Sequence, residues 1–257
     1  MRSALARSRK GRLGTEWLCE YAFRPAAQAV VHVLAPLRVP PPAVVLAAMA
    51  SGVAAAVELG RGELVAAALL VQLKTVLDNA DGQLARLTGR VTVFGRYLDA
   101  ECDLLVNAAL FGAVGWSTGR PLLAAAGFLS MTAVLSVNFN VERLARGGAA
   151  GSDTSVLGRV YAVVYGWQDT LVERLVEHRL RGAGESARAA YHDPATVGIL
   201  ANMGMSTQLA LFGVCIAVGH PLYFVAASLA MLAAVVALFV RRESIIKVDR
   251  GVVLEHR

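Results

Sequence analysis

Six runs of mostly apolar residues, near 42–60, 63–85, 93–116, 121–142, 195–218 and 221–240, dictate what this chain can fold into. At 1.5 Å per residue, a helix of about 20 residues crosses the ~30 Å hydrocarbon of a bilayer. In that medium only closed barrels and helices satisfy every backbone N–H and C=O. The composition agrees: 56% of the 257 residues are hydrophobic and 17% charged, with a mean hydropathy of +0.54, whereas soluble domains carry about 25% charge. The expected fold is an all-α integral membrane protein with six transmembrane helices preceded by an amphipathic interfacial helix. The second and third spans are partly polar, which lowers their hydropathy.

Cationic loops stay in the cytoplasm, so the arginines and lysines set the orientation. With the N-terminus inside, the inside segments hold the cations from Arg2 to Arg38, then Arg86, Arg90 and Arg96, the cluster from Arg143 to Arg188, and the tail from Arg241 to Arg257. Only Arg61 and Arg120 fall outside. A net charge of +6 concentrated on one face fits topology and anionic headgroups, not nucleic acid. The expected organisation is a basic cytoplasmic arm at 1–15, without the apolar core of a signal peptide, and an interfacial helix at 16–38. A six-span domain follows at 39–245, with a cytoplasmic loop at 143–194, and then a cytoplasmic tail at 246–257. In the 16–38 segment, Trp17, Leu18, Tyr21 and Phe23 mix with Glu16, Glu20, Arg24 and His32, which suits a helix in the membrane interface. In the loop, Leu157, Val160, Val164, Trp167, Leu171 and Leu175 recur at helical spacing opposite Arg159, Asp169, Glu173 and Arg174, predicting a second amphipathic helix. Cys19, Cys102 and Cys215 have no metal or redox spacing and read as packing residues.

The stretch "LDNADGQLARLTGRVTVFGRYLDAECD", residues 77–103, places four carboxylates where they are costly. Asp78 and Asp81 lie at i and i+3 on one helical face, beside Gly82 and Ala85; Gly95, Asp99 and Asp103 lie at i, i+4 and i+8 on another. Two antiparallel helices joined by a short turn bring the pairs together. Such a charge persists at low dielectric only with cations or protonation. An all-oxygen ligand set points to Mg²⁺ or Mn²⁺, as a pair of divalent cations bridged by carboxylates.

Position for position, this stretch resembles the signature of the CDP-alcohol phosphotransferase (CDP-alcohol phosphatidyltransferase) family, D-x2-D-G-x2-A-R-x8-G-x3-D-x3-D, with Asp78, Asp81, Gly82, Ala85, Arg86, Gly95, Asp99 and Asp103 in register. The resemblance implies a metal-dependent enzyme of phospholipid biosynthesis. Such an enzyme transfers a substituted phosphate from a CDP-linked alcohol, such as CDP-diacylglycerol, to an acceptor hydroxyl and releases CMP. It implies two divalent cations on Asp78, Asp81, Asp99 and Asp103, with Asp103 also the general base. It implies CDP contacts from Asp78, Asp81, Gly82, Ala85, Arg86, Gly95 and Asp99, and a homodimer embedded in membrane lipid with its active site on the cytoplasmic side. Many family members have a Pro-Asn and a nearby Thr entering the first span. Here Pro42 and Val45 stand in their places, so no nucleotide contact is carried over from that segment.

The resemblance implies an acceptor that is a small alcohol, polyol or polyol phosphate. If it carries a phosphate, Arg143, Arg146 and Arg159, with His192, are the cations expected to meet it; the alternative for each is a positive-inside charge. Asn138, Asn140 and Glu142 are candidates for polyol hydroxyls or for helix contacts. Two other functions use intramembrane aspartates: a UbiA-like prenyltransferase, whose motifs are spaced differently and which needs more spans, and an ion-coupled transporter.

Overall fold

The computed structural model describes residues 14–145, 156–181 and 193–255. Among them the regular structure is entirely helical. A π-helical turn, Cys19–Phe23, runs into α1 (Arg24–Leu34), which takes Pro25 in its first turn, where the missing N–H costs nothing. The chain then turns at Arg38, a non-glycine residue with φ of 56°, and meets Pro40, Pro41 and Pro42, of which Pro41 opens α2 (Pro41–Arg61). Gly62 closes α2 in the left-handed conformation (φ 87°), which a side chain would disfavour. There follow α3 (Leu64–Leu87), α4 (Val93–Thr118) and α5 (Pro121–Ala145). Next come α6 (Val156–Tyr161) and α7 (Trp167–Leu180), joined by a π-helical turn, Ala162–Gly166. The chain ends with α8 (Pro194–Ala201), α9 (Met205–Ala217) and α10 (Pro221–Glu255).

Among the described residues, three helices are long and apolar enough to cross a bilayer on their own: α2, α5 and the Pro221–Arg242 part of α10. The pair α8 and α9, bent by 40° at residues 202–204, makes a fourth as a broken span. Helices α3 and α4 match the second and third expected spans in place and, at 24 and 26 residues, in length. Their charged side chains remove them from the apolar class. The fifth expected span is not one straight helix. Asn202 and Gly204 sit at its break, and buried Glu16 reaches there to accept hydrogen bonds from the Thr207 backbone N–H (2.9 Å) and hydroxyl (3.0 Å). A side chain at Gly204 would collide with that carboxylate.

The hub is α2, which packs against both α3 and α4, while α3 also packs on α1 and α9 and α10 lies along α5. Small residues allow the close approach. Ala55 and Ala67 are fully buried, and a Cβ at Gly52 would fall 2.4 Å from a Val106 methyl. The main core joins α2, α3, α4, α5, α9 and α10 around stacked Phe111, Phe212 and Phe224. A smaller cluster of Ala27, Val31, Val44, Ala80 and Leu84 fastens α1 to α2 and α3. That leaves Trp17, Tyr21, Val33 and Leu37 exposed along the 16–38 segment.

The helix expected in the 143–194 loop is present from Val156 to Leu180, with a π-helical turn inside it, and the three stripe residues whose side chains are described do not form its buried side. Val160, Leu171 and Leu175 are exposed, while Asp169, Val176 and Leu180 are buried. Asp169 is held inward by Asn140 of α5, whose side-chain amide donates to it at 2.8 Å, while Arg159 and Arg174 of the expected polar face stay exposed. Most of the expected basic arm, the segment containing Arg146, and His192 lie outside the described residues.

Candidate active site

Asp78 and Asp81 stand in the second half of α3, and Asp99 and Asp103 in the first half of α4. The connection is short. Gly89 turns the chain at φ 68°, and Thr92 caps α4 by accepting the Gly95 N–H at 3.0 Å, satisfying one of the donors a helix start leaves open. Asp78 precedes the turn by about as many residues as Asp103 follows it, so at 1.5 Å per residue both lie about 15 Å deep. The two backbones barely touch, each leaning on α2 instead. The space between them is bridged by side chains. Carboxylate oxygens of Asp78, Asp99 and Asp103 all lie within 4.8 Å of one another, which gathers three of the four sequence-predicted ligands. The fourth, Asp81, is only 6% exposed, and its Oδ2 has no hydrogen-bond partner among the described residues.

Lys74, which the sequence reading passed over, completes the site. It is 2% exposed, and its Nζ donates to Asp78 Oδ1 at 3.0 Å and to Asp103 Oδ1 across the gap. The pair with Asp78 is an i, i+4 pair on α3, legible as a spacing. The contact with Asp103 on the facing helix has no local signature. Asn79, one residue beyond Asp78, ties this part of α3 to its neighbours: its amide donates to Ser206 Oγ of α9 (3.1 Å) and its carbonyl accepts from Cys19 Sγ (3.1 Å). Gln72 adds a bond to the Leu209 carbonyl at 3.3 Å.

The remaining signature residues surround the gap. The atoms nearest to a Cβ on Gly82 would be those of the Arg86 guanidinium, from 3.2 Å, and one on Gly95 would meet the Thr92 hydroxyl, at 3.1 Å. At Gly82 the guanidinium of Arg86 already lies over the position a side chain would take. Ala85 is half-buried one turn from Asp81. Of the acceptor candidates, Arg143 is half-buried. Its Nη2 donates to Asn140 (3.0 Å) and lies 3.7 Å from Glu173, while its Nε and Nη1 have no hydrogen-bond partner among the described residues. Arg159 is exposed on α6. Asn140 is wholly buried and committed to Ser136, Asp169 and Arg143; it serves helix contacts.

A sequence model of the CDP-alcohol phosphatidyltransferase family matches residues 38–168, half of the chain, including all eight signature residues. The chain belongs to the CDP-alcohol phosphatidyltransferase family. Among its relatives, a phosphatidylinositol phosphate synthase of Corynebacterium glutamicum is 47% identical over 55 residues, 21% of this chain and 25% of that protein. A phosphatidylinositol phosphate synthase of Mycobacterium marinum is 33% identical over 101 residues, 39% of this chain and 43% of that protein. A bifunctional IPC transferase and DIPP synthase of Rubrobacter xylanophilus is 33% identical over 98 residues, 38% of this chain and 21% of that protein. The matched stretches thus span less than half the length of these relatives. No solved structure matches the chain.

The residues present fit a divalent metal. The donors are carboxylate oxygens only, as Mg²⁺ and Mn²⁺ prefer. The buried Asp81 Oδ2 without a partner is a polar atom whose burial is costly until a ligand meets it.

Proposed function

We propose that this protein transfers a substituted phosphate from CDP-diacylglycerol to a hydroxyl of a polyol or polyol phosphate, with release of CMP. The observation that carries the reading is the convergence of Asp78, Asp99 and Asp103 beside the buried, unpartnered oxygen of Asp81. The names of the relatives, two of them phosphatidylinositol phosphate synthases, favour a phosphorylated polyol acceptor. All six hydrophobic segments cross the membrane in this reading, the second and third carrying the aspartates inward from the cytoplasmic face, with both termini on that side and the 16–38 helix in the interface.

Asp78, Asp81, Asp99 and Asp103 would hold two divalent cations, Mg²⁺ or Mn²⁺. Bound there, these neutralise the charge that builds on the diphosphate as CMP leaves. Asp103 takes the proton from the attacking hydroxyl through the oxygen that Lys74 does not hold. Gly82, Ala85 and Gly95 leave room for cytidine and phosphates against the helix backbone, and Arg86 pairs with a phosphate oxygen. Arg143, with its two unengaged donors, meets the acceptor phosphate with Arg146 and Arg159. The protein works as a homodimer with one site per protomer; Gly112, Ala226 and Ala230 face outward and permit close helix contact.

The test is to supply purified protein in detergent with CDP-diacylglycerol and, separately, inositol phosphate, glycerol phosphate, free inositol or serine. CMP and a new lipid phosphodiester should form together, with a phosphorylated polyol preferred. A preference for free inositol or serine would refute the reading of the acceptor, and no CMP with any of the four would refute the transfer.

A further inference from the structure

Asn107 of α4 and Gln208 of α9 are buried amides, 6% and 0% exposed, each with a side-chain oxygen that meets no hydrogen-bond donor among the described residues. Their nitrogens are engaged. That of Gln208 donates to the Met203 carbonyl at 2.8 Å, a group that can only accept, and that of Asn107 points to Met205 Sδ at 3.8 Å. The carbonyl ends are therefore the ones left over. Two carbonyls cannot satisfy each other, and a buried acceptor without a donor is costly.

Spacing and contact place the pair just beyond Asp103. On α4, Asp103, Asn107 and Phe111 recur at i, i+4 and i+8; on α9, Met205, Gln208 and Phe212 recur at i, i+3 and i+7. Each set shares one helical face. Asn107 meets Met205, and Phe111 stacks on Phe212 with ring centroids 5.7 Å apart, so the two faces look at each other. Gln208 lies on α9 between those two contacts. The stacked rings close the gap between the helices, and the amides stand one turn before them, about 6 Å along α4 from Asp103.

The ligand chemistry follows from what two carbonyls lack. A divalent cation asks for about six oxygens, and an ionised phosphate brings acceptors only. A hydroxyl brings a donor. We propose that Asn107 and Gln208 bind non-reacting hydroxyls of the acceptor, an inference resting on the transferase reading above. The acceptor lies with its hydroxyl-rich end against the amides and its phosphate toward Arg143, which leaves a hydroxyl between them beside Asp103. The pair is thus a positioning and specificity device. It favours an inositol phosphate, with several spare hydroxyls, over a glycerol phosphate, which keeps one once the other attacks.

The experiment measures CMP release from CDP-diacylglycerol by the full chain in detergent, with inositol phosphate, its single-deoxy analogues or glycerol phosphate, in wild type, Asn107→Leu and Gln208→Met. Each variant should raise the KM of inositol phosphate by about two- to tenfold, the worth of one hydrogen bond, and leave the donor's KM unchanged. In wild type at least one deoxy analogue that still reacts should lose affinity by a similar factor. One of the variants should abolish that difference, a coupling that looser packing alone would not produce. Unchanged KM values in both folded variants, analogue losses that both variants leave intact, or a wild-type preference for glycerol phosphate would overturn the proposal while leaving the transfer standing. If the variants do not fold, the analogues decide in wild type alone: no loss with any of them overturns it. No CMP release from wild type with any acceptor would overturn both readings.

Discussion

Gly52→Ala tests whether the site depends on how closely α2 seats α4. A Cβ at residue 52 would lie 2.4 and 2.9 Å from the two Val106 methyls and 3.2 Å from its Cβ. Val106 is fully buried and β-branched, so rotating χ1 exchanges one clashing methyl for the other; the helices must separate. Alanine gains about 1 kcal/mol over glycine in a helix interior, and overpacking costs about 1–3 kcal/mol, so the clash wins by up to about 2 kcal/mol. At about 2–4 °C per kcal/mol for a chain of this size, the apparent Tm in detergent should fall by several degrees. Gly60 supplies the internal control: it lies in the same helix and a Cβ there meets nothing within 4 Å, so Gly60→Ala should raise Tm slightly. Val106→Ala should rescue Gly52→Ala, with a coupling of about 1–2 kcal/mol in a double-mutant cycle. Because Val106 follows Asp103 by one turn, transfer activity should fall with the separation; about 1 Å of misplacement can cost about a hundredfold. A Gly52→Ala protein as stable as Gly60→Ala would refute the close seating of α2 on α4.

Three further outcomes are expected. Arg143→Ala should raise the acceptor's KM and leave the donor's unchanged, by about tenfold for each 1.4 kcal/mol of acceptor binding lost, measured with inositol phosphate against free inositol. Glu16→Ala should lower the apparent Tm by the equivalent of about 1–2 kcal/mol, because it removes the acceptor that caps the start of α9 through Thr207. Asp193 caps α8; burial opposes its charge, but bonds from the Thr196 hydroxyl and N–H, aided by Arg241 and Arg242, hold its carboxyl below the ordinary 3.8. A lowered folded pKa means its charge stabilises above the unfolded value and that stability is lost as pH falls through the folded one. The Tm gap between wild type and Asp193→Ala should therefore be largest near neutral pH and shrink below about pH 4.

The helices and the site were legible in the sequence to different depths for physical reasons. Apolar runs report length and burial in lipid, so the ends of α2, α4 and α5 fall within a few residues of the expected spans. The aspartates of α3 and α4 announced themselves because isolated carboxylates are expensive in that medium. What sequence could not supply was contact between helices. Lys74 reads as one charge in an apolar run until α4 brings Asp103 to it. Glu16 reads as a polar residue of an amphipathic segment until the break before Met205 presents Thr207 to it. The periodicity of α7 named Leu171 and Leu175 as its buried face, whereas contact with α5 buries Val176 and Leu180 with Asp169, which Asn140 binds, and leaves Leu171 and Leu175 outside.

In the proposed function the clustered aspartates hold the metal on which phosphoryl transfer depends. The most direct measurement is CMP release from CDP-diacylglycerol with the preferred acceptor, during removal of divalent cations by EDTA and their return as Mg²⁺ or Mn²⁺, in wild type and in Asp78→Asn, Asp81→Asn and Asp99→Asn. EDTA should abolish turnover in wild type, added cation should restore it, and each variant should lose metal binding and CMP release together. CMP release that survives EDTA, or a variant that turns over like wild type, would contradict it.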